Sequence, residues 1–134
     1  MNRLLLAVFL VTALTLPALA KEKANTVLIH PGETVYARFE TKGKKMKLVS
    51  TSKVLDESAQ VVLSFRADAT KPGNILTVEN KFPRALFYSA EIRSLTRKLH
   101  FPLRTSPVVA GKLAFENVPK EVEELAAFEF KLER

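Results

Sequence analysis

Residues 35–40 read Val35-Tyr36-Ala37-Arg38-Phe39-Glu40, and residues 61–68 read Val61-Val62-Leu63-Ser64-Phe65-Arg66-Ala67-Asp68. In the first stretch Val35, Ala37 and Phe39 alternate with Tyr36, Arg38 and Glu40. In the second Val61, Leu63, Phe65 and Ala67 alternate with Val62, Ser64, Arg66 and Asp68. Successive side chains of an extended chain point to opposite faces, so a period of two marks a strand with one buried face and one wet face.

The same period returns over 45–48, 86–93, 98–103, 112–116 and 128–133, with shorter runs at 26–29 and 75–79. Turn chemistry separates the runs at Pro31-Gly32, Lys42-Gly43-Lys44, Lys71-Pro72-Gly73-Asn74 and 80–83. This pattern predicts an all-β fold, an antiparallel two-sheet β-sandwich of immunoglobulin-like type with about seven to nine strands. Irregular strand spacing, with Pro102 and Pro107 near strand ends where sheet edges tolerate them, favours the sandwich over a closed barrel. The expected core is Phe39, Leu63, Phe65, Tyr88, Ile92, Phe101, Phe115, Phe128 and Phe130. One helical turn is expected over 119–125. Pro119 would open it, Glu121, Glu123 and Glu124 would sit at its positive end, and Val122 and Leu125 would be buried.

Outward from this region, the first twenty residues read as an address. Arg3 precedes an apolar run over 4–16, and Ala18-Leu19-Ala20 places small residues before a cut after Ala20. The run is shorter than the roughly 20 apolar residues of a spanning helix and is broken by Pro17. The expectation is a cleaved signal peptide over 1–20, a single domain over 21–134 and a periplasmic or secreted product that does not span the membrane. The chain of 134 residues has room for one domain of ordinary size.

Most catalytic chemistries find no motif here. The absence of Cys excludes a disulfide framework, a thiol nucleophile and a zinc-thiolate site. His30 and His100 are the only imidazoles and lie far apart in sequence, so a metal site would need them to converge with a carboxylate such as Asp68 or Glu33. Ser50, Thr51, Ser52, Thr105 and Ser106 are clustered hydroxyls without a nucleophile elbow around them. Asp56-Glu57 is a carboxylate pair in a polar stretch, in a chain with no Trp to stack on a sugar. Only four Gly are present, none close enough together to cradle phosphate, and no cofactor is expected.

Charge layout is more informative. The formal net charge is +7, and all of the excess lies before residue 114, since residues 114–134 hold 3 basic against 6 acidic side chains. Lys42, Lys44, Lys45 and Lys47 crowd one hairpin tip, with Glu40 the nearest acid in sequence. Arg93, Arg97, Lys98 and Arg104 form a second basic stretch. Such clusters attract polyanions, and they also serve to keep a surface soluble or an edge strand unpaired. Export and the absence of nucleic-acid motifs direct the expectation away from DNA and RNA. Val62, Ile75 and Phe87 fall on faces that ought to be wet, which marks either residues covered by loops or a contact patch. These features predict a non-enzymatic binding protein whose partner is a protein or an anionic component of the cell envelope. The alternative is a small envelope hydrolase whose Ser, His and acidic groups come together from distant parts of the chain.

Overall fold

The computed structural model describes residues 24–94 and 96–134, so the expected leader and its cut after Ala20 lie outside the described residues. Nine strands follow in order: β1 (Val27–Ile29), β2 (Thr34–Lys42), β3 (Lys45–Ser52), β4 (Val61–Ala67), β5 (Asn74–Asn80), β6 (Leu86–Ser94), β7 (Leu99–Leu103), β8 (Leu113–Val118) and β9 (Glu124–Leu132). Each run of period two in the described residues has become a strand. All pairings are antiparallel, in the order β7-β6-β9-β3-β2-β4-β5-β8, with β1 paired to β9 off this path. The strands therefore form one antiparallel sheet nearly closed into a barrel, where two separate sheets were expected. The join that makes the sheet continuous is narrow, the single register pair Lys45↔Lys131 between β3 and β9. Beside it, Asn25 adopts φ 60 and its side-chain amide substitutes for a strand. Leu48 N donates to Asn25 Oδ1 at 2.8 Å, and Asn25 Nδ2 donates to the Met46 carbonyl at 3.3 Å.

Apolar side chains from every long strand meet inside. Leu63, Phe65, Leu76, Val78, Leu86, Leu125 and Leu132 are fully buried, and Phe39, Tyr88 and Phe130 nearly so. Phe130 packs on Phe39 with ring centroids 5.0 Å apart and on Tyr88 at 6.0 Å. Two bulges adjust this packing. Between Arg38 and Phe39 the β2–β3 register shifts, and the Gln60 amide takes over the pairing at Phe39. It accepts from Phe39 N at 2.9 Å and donates to Phe39 O at 3.0 Å. In β9 the register against β6 shifts at Glu129, whose φ is 54.

Three expected core residues are corrected. Phe101 and Phe115 are 51% and 65% exposed and Phe128 is half-buried, while Ile92 packs partly buried against the core. The bulge explains Phe128. Leu125 and Ala127 face inward before it and Phe130 and Leu132 after it, so Phe128 is turned outward. Phe115 is on the outer face because its neighbours Ala114 and Glu116 sit opposite buried Val78 and Leu76. Phe101 faces the same side as Ile92, but β7 is an edge strand, and there Phe101 lines an open groove with Ile92, Leu99 and Val122. The helical turn over 119–125 is also corrected. Val122 N donates to Pro119 O across a plain turn, Val122 is buried, and Leu125 already belongs to β9. Among the described residues no helix is long and apolar enough to cross a membrane.

Candidate functional site

The β2–β3 hairpin turns through Gly43-Lys44, with Lys42 opposite Lys45. Gly43 has φ 62, the left-handed value that a two-residue hairpin turn requires at its first central position and that glycine adopts without strain. Met46 is buried and anchors the tip, whereas Lys42, Lys44, Lys45 and Lys47 are all exposed. Strand pairing brings in a fifth cation. Lys45 is opposite Lys42 on one side and Lys131 on the other, so the three ammonium groups belong to one face in adjacent strands. Glu40 is opposite Lys47. Among the described residues, none of these five lysines makes an ion pair.

The row continues into β6, where Phe87 is opposite Lys131 and the Lys131 ammonium lies 6.0 Å from the ring centroid, at the outer limit of cation–π contact. Lys44, Phe87, Lys131, Leu132, Glu133 and Arg134 line a shallow groove of about 230 Å³ here. Phe87, odd on a wet strand face in the sequence, is half-buried beside a lysine.

The second basic stretch is dispersed. Arg97 and Lys98 are exposed in the β6–β7 connection, where Lys98 has φ 52. They sit at the far end of β6 from Phe87, roughly 23 Å away at the usual rise per residue. Arg104 follows β7 and is exposed toward the other end, where Thr105 Oγ1 donates to the Tyr88 carbonyl. Arg93 is engaged elsewhere. Its side chain is only 13% exposed, and Nη1 donates to Glu124 Oε1 at 3.0 Å while Nε lies 3.5 Å from Glu91 Oε1.

Arg93 belongs to a polar row that the sequence concealed. His100 is opposite Arg93 in β7, Glu124 is opposite Arg93 in β9, and His30 follows β1 beside Glu124. His100 Nδ1 meets Glu91 Oε1 at 2.5 Å. His30 Nε2 meets Glu124 Oε2 at 2.9 Å and its Nδ1 meets Glu33 Oε1 at 2.8 Å. The Lys53 ammonium closes the chain on Glu33 Oε2 at 2.5 Å. A neutral imidazole donates from one nitrogen only, so with a carboxylate at each ring nitrogen His30 satisfies both only as the imidazolium. Its pKa is accordingly raised, chiefly by the hydrogen bond to Glu33. Glu33 is lowered to about 2, chiefly by Lys53.

Of the carboxylates weighed for a metal, Glu33 reaches His30, but Asp68 is held in its own turn by Thr70. No cluster suited to a metal ion occurs among the described residues. Nor is either imidazole hydrogen-bonded to a Ser or Thr hydroxyl there; carboxylates take the ring nitrogens instead. Asp56 is turned toward Ser58 in an exposed loop, which holds its carboxyl below the usual range. Buried Tyr88 has no hydrogen-bond partner for its hydroxyl among the described residues, and burial pushes its pKa well up, so it stays neutral. Comparison with protein-family models, with curated proteins and with solved structures finds no match to this chain.

Proposed function

We propose that this chain is an exported, non-enzymatic binding module that holds an anionic component of the cell envelope against its lysine end. The observation that carries the reading is the register row Lys42–Lys45–Lys131, three exposed ammonium groups side by side with Lys44 and Lys47 around them. Like charges directly opposite one another on a sheet destabilise it, and a polyanion relieves that repulsion. A secreted or periplasmic setting, after cleavage behind Ala20, makes lipid phosphates and acidic envelope polymers the anions within reach. The finer fold reading that goes with this is immunoglobulin-like, two packed layers that meet at the single β3–β9 residue pair and present end loops to a ligand.

Retention on vesicles tests this. The protein is expected to bind vesicles rich in anionic phospholipid and to pass through zwitterionic ones. Changing Lys42, Lys44, Lys45 and Lys47 together to Ser should abolish retention at low salt. The melting temperature should barely move, since exposed charges usually change stability by under about 0.5 kcal/mol. Equal retention by the folded variant would reduce the cluster to a solubilising face.

A further inference from the structure

The two edge strands of the sheet are built differently. β7 carries Pro102, which has no N–H to offer a neighbouring strand, so that edge is blunted. β8 has no Pro, and no strand pairs with its free edge among the described residues. Its outward residues Leu113 and Phe115 are 51% and 65% exposed. The one charged residue within β8, Glu116, is on the core-facing side, where its carboxylate accepts from Ser106 N at 2.7 Å. A strand added here would pair well only if it set a cation against that carboxylate.

We propose that β8 is a dimerisation edge and that its partner is β8 of a second copy of this chain, antiparallel and centred on Ala114. In this register Leu113 meets Phe115 of the second copy, and Phe115 meets its Leu113. Lys112, on the same side of the strand as Ala114 and Glu116, meets Glu116 of the second copy, and the reverse pair forms across the two-fold axis. A two-fold interface must be self-complementary in this way. Sliding the register by two residues in either direction sets Lys112 against Val118 or Ala114 and loses both ion pairs. Glu116, which disfavours strands without a cation opposite it, therefore favours this register. Two Leu–Phe contacts and two flanking ion pairs are of the kind that stabilise cross-strand neighbours.

The test uses the expressed full-length chain in whatever processed form it is recovered. Sedimentation up to about 100 µM, sufficient to populate a micromolar association, should show a species of twice the monomer mass. Phe115→Lys should sediment as monomer with an unchanged circular dichroism spectrum. The chain has no Cys of its own, so Ala114→Cys gives a clean probe of the axis. Residues directly opposite across an antiparallel pair are about 4.5–5.5 Å apart at Cα, within disulfide range. Ala114→Cys should therefore oxidise to a covalent dimer faster than Val109→Cys, whose side chain is more exposed and off the strand. A monomer throughout the concentration range would overturn the proposal. So would a dimer in which Val109→Cys cross-links as fast as Ala114→Cys.

Discussion

At one end of the barrel Lys42, Lys45 and Lys131 stand side by side with no carboxylate between them, whereas across the outer face the similar row His30, Glu124, Arg93 and His100 is laced with carboxylates, Glu124 between His30 and Arg93 and Glu91 beside Arg93 and His100. Both rows are assembled by strand register from residues far apart in sequence. Burial separates them. The lysines are exposed and water screens their repulsion, so the fold tolerates them unpaired. Arg93 and Glu124 are each 13% exposed, where an unpaired charge is strongly destabilising, and there each cation has its carboxylate. The paired row ties β1, β6, β7 and β9 together; the unpaired row is left to interact with something outside the chain.

The comparison breaks first if the frame beneath the lysines is not rigid. Phe130 precedes Lys131 and packs on Phe39 and Tyr88. Phe130→Ala should cost about 3–5 kcal/mol in chemical denaturation, and Phe65→Ala, at a fully buried position, should cost a similar amount. Unchanged melting of both would remove the rigid support from the account.

Next in size is the paired row itself. Arg93→Met leaves Glu124 and Glu91 without their guanidinium, and should destabilise by about 2–4 kcal/mol. Lys45→Met, in the unpaired row, should change stability by under about 0.5 kcal/mol. Equal effects of the two substitutions would erase the distinction.

A smaller effect follows pH. The raised pKa of His30 stabilises the folded chain fully below its unfolded value of 6.5, and this contribution fades as pH rises through the higher folded value. The lowered pKa of Glu33 stabilises above its usual 4.5 and is lost as pH falls toward about 2. Between these limits both contributions are present. Thermal stability should thus fall modestly from pH 6 to pH 8, and His30→Gln should flatten that difference. A persistent slope in the variant would assign it to another group.

Much of the fold was legible because period-two alternation reports facing directly, residue by residue. What alternation cannot report is which strands become neighbours. Alternation gives Phe101 its correct face, yet the side chain is exposed because β7 is an edge. Phe128 was displaced by a bulge at Glu129, where a non-glycine residue takes a left-handed φ without any turn signal around it. In β8 both Leu113-x-Phe115 and Ala114-x-Glu116 have period two, and only pairing with β5 shows that the second set faces the core. The lysine tip was legible because four of its members are local. Lys131 was not, since it joins the patch through the β3–β9 pair alone. Arg93 looked like part of a basic stretch because Glu124, its partner, lies in another strand.

Lys131 is therefore the sharpest probe of the lysine end. The direct measurement is retention on anionic phospholipid vesicles as a function of salt for wild type, Lys131→Ser and Lys120→Ser. Lys120 is exposed too, but in the turn between β8 and β9. If an anion docks on the register row, Lys131→Ser weakens retention and flattens its salt dependence while Lys120→Ser behaves as wild type. Equal losses from both variants would show that only net charge matters, and would contradict a site at the lysine end.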